Sequence, residues 1–344
     1  MRFCYVGHKF HKKTPSISFF LDLLKSIGSV KEFYFSLDEE NFSDDALIRQ
    51  LSVSDFDCYV FVQTEDIAEK LLPLGLGRFV IAPMDDGAVW RRADFWRQFA
   101  DAQLISFSRA HHEELQRYGC KTAYFQYFPK PGTREIIAFA EPLSAFFWER
   151  HPNHEPTLQR IVRLCNELQV TSLYLQVSPD FGQEYGQRLT RPEKFVIDDV
   201  EVMTSCWFDD RSELDQVSER THFFFAPLRL DGIGMSFLDA MARGQIVVAP
   251  DHPAMNDYIR HRTTGILYDF DDLALDYKMT PKSMSDISRA ALRTTAIGYE
   301  QWTHDQDRLK SLLVKDGRRW STKDASSHFR NEIRRRASQQ AREQ

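Results

Sequence analysis

The sequence predicts an α/β protein made of two doubly wound, Rossmann-like parallel-sheet domains with helices at the C-terminal end. Short apolar segments alternate with amphipathic segments of helical period along most of the chain. The apolar segments are hydrophobic throughout, as in parallel strands that are covered on both faces. With 344 residues the chain is long for a single core, and Pro129-Lys130-Pro131-Gly132 is the strongest linker signal. We therefore expect domains over residues 1–132 and 133–300, followed by a third segment over 301–344.

The first domain is predicted to alternate strand and helix. Its strands are expected over 3–7, 30–35, 57–63, 78–83, 102–108 and 121–128. Its helices are expected over 15–27, 44–51, 67–72 and 109–118. In the first helix Ile17, Phe20 and Leu24 form an apolar stripe, and Gly28 ends the helix.

The same alternation is predicted for the second domain. Its strands are expected over 145–148, 172–177, 200–206, 223–227, 246–249 and 265–268. Its helices are expected over 156–168, 212–218, 235–243 and 281–299. In the first of these helices Ile161, Leu164 and Leu168 share one face. The third segment is mostly helical by propensity and ends in a basic tail; a return of this segment to the first domain is one interpretation.

Composition and charge place the chain among globular cytoplasmic proteins. Hydrophobic residues make up 42% and charged residues 27%, and the net charge of −6 gives no electrostatic case for binding nucleic acid. The five cysteines form no CxxC pair and are expected to be buried, reduced thiols. No apolar run approaches the ~18–20 residues of a membrane span, and Met1-Arg2 leads directly into a strand rather than into a signal peptide.

Residues 222–250 carry the most specific pattern in the chain. A strand, Phe223 to Pro227, leads into a loop that ends in Asp231-Gly232-Ile233-Gly234, and a helix and a second strand follow. This order is one βαβ step of a parallel sheet. The free amides of the loop and of the helix N-terminus form an anion site at the carboxyl edge of the sheet. Two carboxylates, Asp231 and Asp239, flank that site.

This pattern resembles that of GT-B glycosyltransferases, and most closely the large retaining group called family 4. The signature of that group is Glu, seven residues, Glu, and Asp231 and Asp239 have the same spacing. The downstream segments 249–251, 256–259 and 264–267 also fit. The detailed resemblance covers about 221–268 and the general architecture about 1–315. It implies two Rossmann-like domains that face a cleft.

The chain departs from the family pattern at three places. Both family glutamates are aspartates here. The glycine-rich turn after the first strand is replaced by the stretch from Gly7 to Lys13. The usual arginine and lysine after the first strand of the second domain are reduced to Arg150, with His151 and His154 nearby. These departures leave the identity of the donor open.

The resemblance implies a nucleotide-sugar donor, UDP- or GDP-linked, and neither a cofactor nor a metal ion. The amides of Gly232, Ile233 and Gly234 would face the diphosphate, where negative charge develops. Asp239 would accept hydrogen bonds from the ribose, and Asp231 would meet hydroxyls of the donor sugar. Arg150 is the best cation of the second domain. No protein base is expected, because in retaining members the leaving phosphate is thought to assist deprotonation of the acceptor.

The first domain offers further candidates at the ends of its strands. Gly7, His8, Lys9 and Lys12 follow the first strand, and either lysine could supply charge for the donor phosphates. Asp85 and Asp86 follow the fourth strand and could bind hydroxyls of the acceptor. Simpler interpretations remain for all of these residues. The basic stretch could be an exposed loop, and the acid pair could be part of a turn. Asp231 could be a turn residue and Asp239 a solvated carboxylate on a helix. Arg150 could be a surface charge.

Two further clusters also have two interpretations. Trp90, Phe95, Trp96 and Phe99, interspersed with arginines, indicate either core packing or an amphipathic patch that touches a membrane. The basic tail, whose charges include five arginines, is either a solvated helix or an attachment to anionic lipid; those arginines are Arg330, Arg334, Arg335, Arg336 and Arg342. His111-His112 lacks a third ligand at metal spacing, so no metal site is expected there.

The sequence as a whole predicts a glycosyltransferase that moves a sugar from a nucleotide donor to a glycan or lipid-linked glycan. The pathway expected from the family is synthesis of a bacterial surface polysaccharide, such as O-antigen of lipopolysaccharide or capsule, in the cytoplasm or at the cytoplasmic face of the inner membrane. Two alternatives stay open: a non-catalytic GT-B-like subunit of a glycan-assembly complex, and a nucleotide-sugar epimerase or phosphorylase of the same architecture.

Overall fold

The structure, a computed structural model, divides by its internal contacts into two compact units. It describes residues 1–13, 15–35, 50–51, 56–132, 138–151, 155–178, 193–205, 211–273, 275 and 278–314. Unit 1 comprises Met1–Phe125 together with the described residues from His304 onward, and unit 2 comprises Gln126–Thr303. The division thus falls at 125/126 and 303/304, whereas the sequence suggested 132 and 300.

Unit 1 is built on a parallel sheet with strand order β2-β1-β3-β4-β5-β6. The strands are β1 Arg2–His8, β2 Ser29–Phe35, β3 Cys58–Val62, β4 Arg78–Ala82, β5 Gln103–Ser106 and β6 Lys121–Tyr124. Every residue of β3 is buried, because helices cover both faces of a parallel sheet. The order of the strands reverses between β1 and β3, which makes their carboxyl ends the topological switch point of this unit.

The helices of unit 1 follow the strands as the sequence predicts, with three additions. They are α1 Phe10–Lys13, α2 Ser18–Ile27, α3 Glu65–Leu71, α4 Asp85–Ala88, α5 Ala93–Arg97 and α6 Arg109–Arg117. The additions are α1, α4 and α5, which are too short to show a helical period. Ser108 caps α6, since its side chain accepts a hydrogen bond from the backbone N–H of His111. Most of the helix predicted over 44–51 lies outside the described residues.

Unit 2 is built on a sheet with strand order β13-β12-β11-β7-β8-β10-β9. The strands are β7 Leu143–Glu149, β8 Val170–Val177, β9 Lys194–Ile197, β10 Val200–Ser205, β11 Phe223–Phe225, β12 Ile246–Pro250 and β13 Ile266–Tyr268. All neighbours are parallel except β9 and β10. The sequence analysis missed β9. The signal was the pair Asp198-Asp199, whose positive φ angles of 45° and 66° close a two-residue hairpin.

The helices of unit 2 cover the two faces of its sheet. They are α7 Leu158–Glu167, α8 Arg211–Glu219, α9 Met235–Ala242 and the first part of α10, Pro281–Val314. The helix predicted over 281–299 therefore continues for several more turns, and its last turns belong to unit 1. There the guanidinium of Arg78 donates to the carbonyl of Leu313 at 2.7 Å and to that of Leu312, and Arg308 donates to the carbonyl of Tyr124 at 2.9 Å.

Strand β6 ends four residues earlier than predicted. The apolar run over 121–128 pairs only as far as Tyr124, and Phe125, Tyr127 and Phe128 are buried without belonging to the strand. An apolar run in the sequence indicates that a segment is buried, and this segment is buried without pairing as a strand. Among the described residues, the structure contains no helix with the length and hydropathy that crossing a bilayer requires.

Candidate functional site

The candidate site of unit 2 lies at the switch point of its sheet. The order of the strands reverses between β7 and β11, which are neighbours: Phe147 pairs with Phe225. The segment after β7 begins with Arg150, and the segment after β11 leads to Asp231. In open α/β sheets ligands bind outside the carboxyl ends of the strands at such a point. The strand order therefore brings Arg150 and the Asp231–Gly234 loop to the same edge of the sheet.

Asp231 organises the loop before α9. Its side chain is only 8% exposed, and Oδ1 accepts a hydrogen bond from the backbone N–H of Gly234 at 3.1 Å. The amide of Gly234 was expected to face a phosphate, but the structure directs it to Asp231 because the carboxylate closes the turn. The amides of Gly232 and Ile233, with the first N–H groups of α9, remain as the candidates for binding an anion.

Gly234 is required by the geometry of the loop. Its φ of +79° lies in the left-handed region, a backbone conformation that residues other than glycine rarely adopt. A Cβ atom at this position would also lie 1.8 Å from Cε1 of Phe237. Phe237 is fully buried and packs edge-to-face on Tyr258 with ring centroids 5.8 Å apart. The close approach of the loop to α9 thus depends on a residue without a side chain.

Asp239 lies on α9, between residues that face the core. Leu238 and Ala240 are fully buried, while Asp239 is half-buried. The carbonyl oxygen of Asp239 accepts a hydrogen bond from the N–H of Arg243 at 3.2 Å near the end of the helix. The partial exposure is compatible with a ligand contact and equally with a solvated helix carboxylate, so the role of Asp239 stays a prediction.

Two buried hydroxyl groups near this edge lack a partner among the described residues. They are Oγ of Ser178, just beyond the end of β8, and Oγ of Ser236, in the first turn of α9. Buried polar atoms are normally hydrogen-bonded, and those that are not often mark a missing ligand or water. The sequence analysis did not single out either serine; the only signal for Ser236 was its place two residues after Gly234.

The two arginines at this edge make cation–π contacts with aromatic rings. The guanidinium of Arg150 lies 5.0 Å from the ring centroid of Trp148, and Trp148 donates through its indole N–H to the carbonyl of Ser178 at 2.8 Å. Arg229, which precedes Asp231 by two residues, is exposed and lies 4.3 Å from the ring centroid of Phe270. The sequence analysis overlooked Arg229, although it stands inside the motif. His154, mentioned with Arg150, lies outside the described residues.

A cavity of about 470 Å³ opens at the carboxyl ends of β11, β12 and β13. Its lining combines Arg229, His252 and His261 with three carboxylates, Asp251, Asp269 and Asp271. Nδ1 of His261 accepts a hydrogen bond from the backbone N–H of Leu267 at 3.0 Å, and burial together with Arg262 lowers the pKa of His261. The cavity lies beside the loop rather than at the switch point.

In unit 1 the basic stretch lies where the sequence predicted it, at the carboxyl end of β1. Gly7 is buried, His8 is half-buried, and Lys9 and Lys12 are exposed. The ammonium of Lys12 lies 5.0 Å from the ring centroid of Tyr34. Burial lowers the pKa of His11 to about 4, with a smaller contribution from His8. At neutral pH His11 therefore adds no positive charge to this segment.

The acid pair after β4 is divided by burial. Asp85 is 5% exposed, and its Oδ1 lies 3.2 Å from Nδ1 of His111, whose side chain is also buried. Asp85 was expected to bind hydroxyls of the acceptor, but its burial beside His111 places it in the interior. Asp86 is half-buried, and its Oδ1 accepts a hydrogen bond from Nε2 of Gln63 at 3.0 Å. Asp86 is thus the member of the pair that can meet an acceptor.

Glu65 is a buried acid that the sequence analysis did not consider. It follows β3 in the first turn of α3 and is 6% exposed. Its Oε1 lacks a hydrogen-bond partner among the described residues. Burial raises the pKa of Glu65 to about 7, with Asp66 and Asp86 acting in the same direction and Arg91 against them. The cause is the loss of hydration of the charged form.

The side chains of the aromatic cluster near α5 also differ in burial. Trp96 and Phe99 are buried in the core of unit 1, as the packing interpretation requires, whereas Trp90 is 69% exposed.

Four of the cysteines are buried free thiols, and the fifth, Cys206, lies outside the described residues. In the described part of the chain, no three His, Cys, Asp or Glu side chains are placed to hold a metal ion. The basic tail also lies outside the described residues.

Comparisons with known proteins agree with this fold. Residues 159–278 match the family model described as glycosyl transferases group 1. HepE of Anabaena, solved in complex with UDP and glucose, superimposes with a TM-score of 0.65 at 11% identity, over 91% of this chain and 99% of that one. Sucrose-phosphate synthase of Thermosynechococcus elongatus gives 0.67 at 12% identity, over 91% and 99%. This chain carries a group 1 glycosyltransferase domain on a GT-B fold.

A third structure has the same architecture as this glycosyltransferase. It is the E. coli trehalose-6-phosphate protein bound with UDP-2-fluoro glucose, with a TM-score of 0.63 and 12% identity over 92% of this chain and 99% of that one. At such identities the likeness shows the fold. Among curated proteins none matches the sequence significantly.

The family match divides the candidate residues of the glycosyltransferase. The matched stretch, 159–278, contains the loop from Asp231 to Gly234 and Asp239. Arg150, Asp85, Asp86 and the basic stretch after β1 lie outside it. The loop and Asp239 therefore lie within the matched stretch, whereas Arg150 and the candidates of unit 1 rest on the strand order alone.

Proposed function

We propose that this glycosyltransferase moves a sugar from a UDP- or GDP-linked donor to a glycan acceptor, with retention of anomeric configuration and without a metal ion. One observation carries the proposal. The loop closed by Asp231 and Gly234 stands at the switch point of the unit 2 sheet, directly before α9. Asp231 of this loop and Asp239 of α9 have the spacing of the family 4 signature. Retention and independence of metal rest on that resemblance.

The diphosphate is proposed to bind at the loop. The amides of Gly232 and Ile233 and the N-terminus of α9 present partial positive charge. Arg150 and Arg229 would add full charges, which stabilise the departing diphosphate more than the intact donor because negative charge develops there. The unpartnered hydroxyl of Ser236 would complete the set by donating to a phosphate oxygen. For His8, Lys9 and Lys12 of unit 1, donor binding stays our prediction.

The sugars of the donor are proposed to meet the two carboxylates. Asp239 would accept hydrogen bonds from the ribose. Asp231 would hold the loop through Oδ1 and use its second oxygen for hydroxyls of the transferred sugar. An aspartate is about one methylene shorter than the glutamate of the family, so the sugar must sit closer to the backbone or a water must bridge.

The acceptor is proposed to be a growing glycan of a bacterial surface polysaccharide, such as O-antigen or capsule, assembled at the cytoplasmic face of the inner membrane. Support comes from the family resemblance and from the basic tail of the sequence. In unit 1, Asp86 at the carboxyl end of β4 is the best candidate for binding a hydroxyl of the acceptor, in place of the buried Asp85.

The decisive experiment is a panel of sugar nucleotides, tested for hydrolysis and for transfer. UDP-, GDP-, ADP- and CMP-linked sugars cover the bases, and proton NMR of the anomeric signal reports retention or inversion. We expect turnover of one donor class, and its loss by at least about a hundredfold in Asp231→Ala. The control is Asp286→Ala, which removes an exposed carboxylate of α10 that pairs with Arg289. Full activity of Asp231→Ala would reject the site.

The panel also tests the alternative that this protein is a non-catalytic subunit. The observation behind that alternative is the replacement of both signature glutamates by aspartates. A thermal shift with UDP, GDP, ADP or CMP but no turnover of any donor would favour a binding subunit. The absence of any shift would remove the nucleotide from the proposal altogether.

A further inference from the structure

Trp90 is an exposed aromatic side chain beside the acid pair of unit 1. It is 69% exposed, and its neighbour Val89 is 39% exposed. Among the exposed large hydrophobic side chains of the described residues it is the one aromatic. Trp is enriched at contact surfaces because its indole combines a large apolar face with a polar N–H group.

The local backbone places Trp90 one helical turn after Asp86. The N–H of Val89 donates to the carbonyl of Asp85 at 3.2 Å, and that of Arg91 donates to the carbonyl of Ala88 at 3.0 Å. The first bond spans four residues, as in an α-helix, where residues four apart are neighbours on one side; the second spans three and closes the segment with a tighter turn. Asp86 and Trp90 therefore share one side of the segment after β4, at the carboxyl edge of the sheet.

The orientation of Asp86 is held from the neighbouring strand. Gln63, just beyond the end of β3, donates through Nε2 to Oδ1 of Asp86 at 3.0 Å. Its backbone has a φ of +51° and donates to the carbonyl of Ala82 at 3.2 Å. A residue other than glycine in this region of φ costs about 1–3 kcal/mol, and such residues cluster at functional sites.

The charges around Trp90 favour a neutral partner over an anionic one. Arg91 is paired with Asp66, with Nη2 2.6 Å from Oδ2, and Nε of Arg92 lies 3.9 Å from Oδ1 of Asp94. Both arginines thus have an acid beside them, and Asp86 adds a further negative charge. A surface of this kind gives little attraction to anionic lipid.

We propose that Trp90 and Asp86 form a subsite for one pyranose ring of the acceptor. A pyranose has a face of C–H groups, which packs on the indole ring, and an edge of hydroxyls, which donate to the carboxylate. Gln63 is the positioning residue of this subsite. The inference rests on the proposed function in taking the acceptor to be a glycan, and it names the group that unit 1 recognises: a neutral sugar ring.

Saccharide binding without any donor tests the subsite. Methyl α-glucoside, methyl α-mannoside and N-acetylglucosamine are titrated singly at millimolar concentration, and saturation-transfer NMR reports binding. We expect saturable binding of at least one of them, weakened about tenfold in Trp90→Ala and less than about threefold in Trp90→Phe. Asp86→Asn should weaken it as well. The control is Ile297→Ala, which truncates an aliphatic side chain of unit 2 that is 68% exposed.

Three results would overturn the subsite. They are the absence of binding by all three saccharides, equal binding by Trp90→Ala and the wild type, and a loss in Trp90→Ala of binding to phosphatidylethanolamine–phosphatidylglycerol vesicles with saccharide binding unchanged. The last result would assign Trp90 to a membrane contact. Calorimetry with UDP and GDP on the same samples reports separately on the nucleotide site of unit 2, so failure of the proposed function is distinguishable from failure of the subsite.

Discussion

Replacing Gly234 by alanine should damage the loop before α9 in two ways that can be separated. The residue has a φ of +79°, and placing a residue with a Cβ there costs about 1–2 kcal/mol. The new Cβ would also lie 1.8 Å from Cε1 of the buried Phe237. Relieving such an overlap in a packed interior costs a further ~1–3 kcal/mol. We therefore expect Gly234→Ala to lower the free energy of unfolding by about 2–5 kcal/mol.

The other end of the same helix supplies a matched control. Gly244 follows α9 and has a φ of +78°, but a Cβ there would meet its nearest neighbours, side-chain atoms of Leu292 and Ser288, at 3.2 Å. Gly244→Ala should therefore show the backbone cost of about 1–2 kcal/mol with only a minor overlap. Urea denaturation of the two variants, followed by a probe in unit 2, isolates the contribution of the clash.

Binding of nucleotide distinguishes the two variants a second time. A shifted loop moves the amides of Gly232 and Ile233, so Gly234→Ala should weaken UDP or GDP binding by at least about tenfold, whereas Gly244→Ala should leave it unchanged. Adding Phe237→Leu should recover part of the stability that Gly234→Ala loses, because the smaller side chain makes room. A Gly234→Ala variant no less stable than Gly244→Ala, or no recovery by Phe237→Leu, would refute the reasoning.

Three further predictions concern single side chains. Asp231→Asn keeps an acceptor for the N–H of Gly234 and should be more stable than Asp231→Ala by about 1 kcal/mol in urea, although both lose transfer activity. The folded-state pKa of Glu65, about 7, lies above its ordinary 4.5, so its stabilising contribution is complete below pH 4.5 and disappears as the pH rises through 7. At about 1.4 kcal/mol per pH unit, Glu65→Gln should gain about 3 kcal/mol on the wild type between pH 4.5 and 8, and parallel pH profiles of unfolding would contradict this. Arg78→Met should cost about 1–3 kcal/mol by removing the donor to the last carbonyls of α10, and amide exchange near Leu313 that stays as slow as in the wild type would count against it.

Local pattern was sufficient to predict most strands of both sheets, because buried parallel strands are apolar on both faces. The prediction failed for three kinds of segment, in which the local pattern does not match the secondary structure. β9 alternates exposed and half-buried residues and is held by the two-residue turn at Asp198-Asp199. The segment after Tyr124 is apolar and buried but unpaired. α4 and α5 are single turns, shorter than one helical repeat can reveal.

For the candidate site, the residue types and spacing of the loop could be read directly, and their contacts could not. Asp231 was predicted to meet the donor, yet its Oδ1 holds the amide of Gly234. Asp85 and Asp86 are adjacent and chemically equivalent in the sequence, but the first is buried against His111 and the second is held by Gln63. Arg229 went unnoticed because a lone arginine before a turn carries no signal without the ring of Phe270.

The sequence by itself determined the class of fold, the βαβ step with its glycine loop and the reaction class that the carboxylate spacing indicates. These depend on residues within about one helix of one another. The tertiary structure decided which strands are neighbours, and hence that the end of β7 and the loop after β11 meet at one edge. It also decided which acids are buried and which are accessible. The pairing of strands that are distant in sequence depends on burial and hydrogen bonding over the whole sheet, so no local pattern encodes it.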